Sequence, residues 1–309
     1  MSACRYRQIW AVYFYPIIQS VHLLLDKEMI STKVIRSIRL STCAVHRMAV
    51  KHENAFPAGV QMGNKVVVPQ MDVRATAFLV EDGLLLTNRH VVRLIAAEHQ
   101  QHGNHDHWYV QFTYPQDGGG GWSQTIKRIS NLFAFVDPAD GGTLDVGFLS
   151  FAHKPGEIGP YKPVEFGDLE SVVVGNDVGV CGFPLGNKLL ANPELGIHRF
   201  GPLIHRGMIS AVSPYDTVDQ RSIVTFLTDL NTAGGMSGSP VFLPDNGRVV
   251  GLHFAGTDGT LGCAVPIDEP RVRSWIDFYK RCSRDPKAMG SVMVKPGGDL
   301  EEKKPDDSV

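Results

Sequence analysis

The sequence is poor in cysteine and has no CxxC pair: Cys4, Cys43, Cys181, Cys263 and Cys282 are an odd number at wide spacings. That argues against a fold built on disulfides and excludes a zinc site made from paired cysteines. Cys181 and Cys263 sit in the apolar contexts VGVCGF and LGCAVPI, where small thiols pack well. Reduced thiols are expected, with a Cys181–Cys263 bridge as the alternative in an oxidising compartment. An excess of one charge is also missing. Thirty basic and 32 acidic residues leave a net charge of −2, which disfavours nucleic acid and membrane surfaces as partners. The glycine run DGGGGW, Asp117 to Trp122, lacks the Lys-Ser/Thr that would follow a phosphate loop and reads as a hairpin tip.

No apolar run has the length and purity of a membrane span. The best approach to one is IWAVYFYPIIQSVHLLL behind Arg5 and Arg7, which has the order of an export signal. Pro16, Gln19, Ser20 and His22 interrupt it, and no A-x-A cleavage site follows. The rival reading places the true start at Met29 or Met48. Localisation, cell envelope or secreted against cytoplasmic, turns on that choice, and residues 1–58 are treated as an N-terminal extension.

From about Val60 the texture is one of short runs of Val, Ile, Leu, Phe and Thr broken by Gly, Pro, Asn and Asp, which predicts an all-β chain of antiparallel strands. Helices are expected only at Val91 to Gln101 and at EPRVRSWIDFYKRC, Glu269 to Cys282, where Val272, Trp275, Ile276 and Tyr279 repeat at helical spacing. The tail, residues 283–309, is charged and Gly/Pro-rich and is expected to be disordered.

Three segments carry chemistry. LLLTNRHVV ends an apolar strand in a polar turn with His90 at its exit; GGTLDVGFLSF opens a strand with Asp145; NTAGGMSGSPVF exposes Ser237 on a glycine-rich turn before a strand. A serine hydroxyl is a weak nucleophile until a base takes its proton, the role suited to His90. Asp145 would fix the imidazole tautomer and stabilise the imidazolium. The amides of Gly235 and Ser237 would converge on the developing oxyanion. Taken singly each has a plain structural explanation; in this order and context they point to a hydrolytic triad.

At these residues the chain resembles the trypsin-like serine proteases, and more narrowly the bacterial branch of Deg-type proteases and glutamyl endopeptidases. Members carry TN-x-HVV, D-[VI]-x-x-[LF] and G-[NM]-SG-[GS]-P blocks in that order, and similarity extends to CGFPLGN, HRGMISAV and LTDLNTAGG. Met236 stands where Asn is commoner, Ser239 where Gly is common, and Ala75 and Ala77 where Gly is usual. The resemblance implies two six-stranded antiparallel β-barrels with a short C-terminal helix. It places a protease domain over residues 59–282, with the His/Asp barrel at about 59–165 and the Ser barrel at about 166–282. No region of PDZ size follows Arg281, so a lone protease domain is expected. Protein or peptide substrates are implied and no cofactor; the oligomeric state is left open. By the same resemblance Thr232 and His253, the latter in VVGLHFAGT, correspond to residues that bind a substrate carboxylate, which implies a preference for Glu before the scissile bond. A pocket for small apolar side chains is the alternative.

A second cluster, His99, His102, His105, Asp106 and His107 in AAEHQQHGNHDHW, has metal-ligating chemistry but fits no closed zinc pattern and reads as a solvated loop. Two rival functions stand beside the endopeptidase: a catalytically latent module that binds peptides in the same cleft, and an esterase. The order His, Asp, Ser differs from the Ser, Asp, His of α/β-hydrolases and disfavours the esterase.

Overall fold

Apolar runs such as AFLV and LLL are too continuous for strands with one solvated face, and in the computed structural model they are buried on both faces. The structure describes residues 30–48, 60–62, 65–67, 71–102, 108–115, 122–135, 144–152, 160–186, 201–215, 217, 219–257, 260–290, 292–295 and 298–302. Helix α1 (Thr32–Ser41) leads into strand β1 (Thr42–Met48), followed by a small hairpin, β2 (Val60–Met62) and β3 (Lys65–Val67). Then come β4 (Met71–Glu81), β5 (Leu84–Thr87), helix α2 (Arg89–His102), β6 (Trp108–Pro115), β7 (Trp122–Ala134) and β8 (Gly147–Phe151). Strands β1-β4-β5-β8-β7-β6 close into one antiparallel barrel.

The second barrel uses β9 (Asp177–Gly182), β10 (Leu203–Ser213), β11 (Thr225–Thr228), β12 (Pro240–Phe242), β13 (Val249–Thr257) and β14 (Leu261–Pro266). It closes in the order β10-β11-β14-β13-β12-β9. Helix α3 (Glu269–Arg284) and a hairpin of β15 (Val292–Val294) and β16 (Leu300–Glu302) complete the described chain. The expected fold class, two six-stranded barrels with a C-terminal helix, is the one observed.

Alternation along each strand sorts side chains between two cores. In the first barrel Ala75, Ala77, Leu79, Leu85 and Leu149 fill the barrel interior, while Phe78, Val80, Leu84, Leu86 and Phe148 point outward. Those outward residues meet Cys181, Phe242, Val249 and Leu252 of the second barrel and Val272, Trp275 and Ile276 of α3. This seam between the barrels is aromatic-rich: Phe135 lies 6.0 Å from both Trp275 and Phe278, and Phe133 is 5.5 Å from Tyr279. Burying each large side chain there contributes roughly 1.5–3 kcal/mol.

Helix α3 forms over the expected span, with its Asp268 cap accepting a hydrogen bond from the Arg271 amide at 3.0 Å. The segment beyond it departs from the expectation of disorder. The indole N–H of Trp275 donates to the Gly298 carbonyl at 2.6 Å, and the buried Arg271 guanidinium donates to Asp299, Pro266 and Arg221. Two residues of α3 thus tie down a tail whose composition alone promised nothing; residues 303–309 lie outside the described residues. Likewise β1, part of the segment read as an extension, supplies a full barrel strand. Cys43, Cys181, Cys263 and Cys282 are free thiols, so the alternative bridge is not formed, and Cys4 lies outside the described residues. Among the described residues no helix is long and apolar enough to cross a membrane.

Candidate active site

His90 occupies the first turn of α2, where the helix amides have no intrahelical partners. Asp145, just before β8, meets both needs of that turn. Its Oδ1 accepts the His90 backbone N–H at 3.0 Å and its Oδ2 lies 2.6 Å from His90 Nδ1. Asn88 closes the arrangement by donating its side-chain amide to the Asp145 carbonyl at 3.0 Å. The Asp145 carboxylate is 14% exposed and the His90 ring 49% exposed, so a sheltered acid orients an imidazole that faces solvent.

Ser237 comes from the other barrel, on the turn before β12. Met236 N donates to Ala233 O at 3.1 Å, and Gly235 between them has φ +97°, the left-handed conformation that the third residue of a type II turn requires. A side chain at Gly235 would collide with the Phe183 carbonyl. The Gly234 carbonyl accepts from the Leu185 amide at 2.6 Å. Because a trans peptide holds C=O and N–H on opposite sides, this bond aims the Gly235 N–H away from Leu185. Ser237 O accepts from Thr76 N at 2.8 Å, and Gly238 N donates to His253 O at 2.9 Å. Among the described residues the amides of Gly235 and Ser237 have no hydrogen-bond acceptor, the condition for a pair of donors open to a ligand. Ser237 Oγ donates to the Phe254 carbonyl at 3.5 Å; no hydrogen bond joins it to His90.

The two expected specificity residues lie together. A Cβ added to Gly262 would sit 2.7 Å from Thr228 Oγ1, 3.3 Å from His253 Cε1 and 3.3 Å from Thr232 Cγ2, so three side chains converge on that glycine. Thr232 and His253 are buried, and among the described residues Thr232 Oγ1 has no hydrogen-bond partner. Burial pushes the His253 pKa down to about 4, helped by the like charge His90 would carry and opposed by a hydrogen bond with the Cys263 backbone. Thr228, the third side chain at that glycine, was not assigned a substrate role from the sequence. It marks, with Asp229, the similarity found in LTDLNTAGG, but a hydroxyl ending a strand carries no signal of a substrate role on its own.

Among the described residues no group of His, Cys, Asp and Glu is placed to hold a metal ion. His99 and His102 belong to α2; His105, Asp106 and His107 of that cluster, and the glycine run before Trp122, lie outside the described residues.

The model of the trypsin-like peptidase domain matches residues 75–252, more than half of the chain. The chain belongs to that family. Its match spans the segments that carry His90, Asp145 and Ser237. Comparison with curated proteins finds no match. Solved structures of similar fold include the HtrA-type protease AlgW with a decapeptide, at 18% identity and TM-score 0.46 over 75% of this chain and 62% of that one. Deg5 matches at 17% identity and TM-score 0.45, over 81% of this chain and 90% of its own. A serine-to-alanine mutant of Rv3671c from M. tuberculosis H37Rv, in its inactive form, matches at 18% and TM-score 0.45, over 80% and 90%. The chain thus spans about three fifths of the length of the AlgW structure.

Proposed function

We propose that this member of the family is an active serine endopeptidase whose triad is His90, Asp145 and Ser237. The observation that carries the reading is the 2.6 Å contact between His90 Nδ1 and Asp145 Oδ2 on one barrel, together with a serine turn on the other whose Gly235 and Ser237 amides have no acceptor among the described residues. With Nδ1 engaged by the carboxylate, Nε2 of the neutral ring is left as the base. It would take the Ser237 proton as Oγ attacks the scissile carbonyl, and the two amides would hold the oxyanion. The same proton would pass to the leaving amine as the C–N bond breaks, and water would then hydrolyse the acyl-enzyme by the reverse path.

The specificity we propose is for Glu before the scissile bond. The hydroxyls of Thr228 and Thr232 and the imidazole of His253 supply the polar groups, and the unpartnered Thr232 Oγ1 is a donor awaiting an acceptor. Cleavage of peptides differing only in Glu, Gln, Val or Arg at that position checks this; equal or better cleavage after Val would remove the acidic pocket.

Labelling by a fluorophosphonate probe with intact-mass detection tests the nucleophile. Wild type should gain one probe mass and Ser237→Ala none. One observation favours a second reading, a latent protein that binds peptides: the Ser237 hydroxyl donates to Phe254 instead of contacting His90. Peptide binding without labelling, in wild type and Ser237→Ala alike, would select it.

A further inference from the structure

Thr76, on β4 of the first barrel, is buried and none of its polar groups is spent on solvent. Its hydroxyl donates to the Gly235 carbonyl at 2.8 Å and accepts the Phe183 amide at 3.1 Å. Its backbone N–H donates to the Ser237 carbonyl at 2.8 Å, and its own carbonyl accepts the Thr87 hydroxyl at 2.8 Å. One residue of the barrel that carries His90 thereby grips the serine turn on both sides of Met236, and links it to residue 183, two positions before the Leu185 amide that holds Gly234. Met236 itself is fully buried and apolar, so its side chain brings packing but no charge to hold the turn.

We infer that the Thr76 hydroxyl is a positioning group for the oxyanion donors: it fixes the Gly235–Met236 peptide, and through it the direction of the Gly235 N–H. The inference deepens the peptidase reading and rests on it for its kinetic readout. Removing the hydroxyl leaves the part-buried Gly235 O and the buried Phe183 N without this partner, and a Gly235–Met236 peptide no longer held rotates to bring Gly235 O to another donor, carrying the Gly235 N–H out of line. Losing an oxyanion donor outright costs about two to three orders of magnitude in turnover, so misaiming one is expected to cost about ten- to a hundredfold.

The test compares wild type with Thr76→Val, which keeps the shape and loses the hydroxyl, and Thr76→Ser, which keeps the hydroxyl. For Thr76→Val, kcat should fall about ten- to a hundredfold with KM within about twofold, and a peptide boronate, which needs the oxyanion donors, should lose affinity by a similar factor. Thr76→Ser should restore both. A folded valine variant with unchanged kcat, or one in which KM and boronate affinity worsen equally, overturns the inference. A crystal structure of the variant supplies a readout independent of activity: the 233–236 turn should be reoriented, and an unchanged turn refutes the role. If wild-type Ser237 is not labelled by the fluorophosphonate, the peptidase reading falls while the variant's turn still decides the part played by Thr76. Should the valine variant fail to fold, Thr76→Ala, which leaves room for a water, takes its place.

Discussion

His46 and His253 are both buried histidines, and both have pKa values pushed down to about 4 by burial. Among the described residues neither ring nitrogen of His46 has a hydrogen-bond partner, and the ring stacks on Tyr109 at 6.0 Å. In the unfolded chain each would titrate near 6.5. Between pH 6.5 and 4 the unfolded state therefore binds protons that the folded state refuses, and stability falls as pH drops through that window, levelling below it. The full difference for one such group is about 3 kcal/mol. Urea midpoints should decline from pH 7 to pH 4.5, and His46→Leu should flatten that slope; a slope identical to wild type would deny His46 the role. Asp145→Asn leaves the carboxamide able to cap α2 but presents the wrong partner to Nδ1, so kcat should fall by about three to four orders of magnitude with little change in thermal midpoint.

The helix and strand elements divide into those whose pattern is local and those whose pattern is not. The strands around the segments that carry His90, Asp145 and Ser237 were legible because they are apolar, bounded by turn residues and buried on both faces. β1 and β7 were not. TCAVHRM carries His and Arg, and WSQTIKRISNLFA is polar at most positions, with ladder irregularities at Val45/His46 and Ile129/Asn131 that break a simple alternation. Their place in the first barrel follows from neighbours far along the chain. The sequence names candidate residues for the site but not how they are connected: nothing in RATAFLV signals that Thr76 would reach Gly235. The hairpin of β15 and β16 was hidden for the same reason, since its anchor is Trp275, 23 residues before Gly298. Removing residues 285–309 should strip that anchor and the Arg271–Asp299 pair, and lower the thermal midpoint by several degrees. An unchanged midpoint would mean that the hairpin adds nothing to α3.

Across the whole molecule the barrels share one buried seam, and α3 lies over both, so neither barrel can expose its half without exposing the other's. Heating should give one cooperative transition, with calorimetric and van't Hoff enthalpies in agreement; two resolved transitions would contradict a common core. Phe135→Ala, which empties a ring from the centre of the aromatic group, should cost about 3–5 kcal/mol. The seam has a further consequence, because the proposed base and nucleophile stand on opposite sides of it. Its packing works as an alignment gauge: the distance a proton must jump from serine to imidazole is set by how closely two rigid bodies seat, and a small gap is felt in turnover before either body melts. At matched loss of thermal midpoint, Phe78→Leu in the seam should therefore slow turnover more than Val110→Ala inside the first barrel, making rate a finer measure of fit than stability.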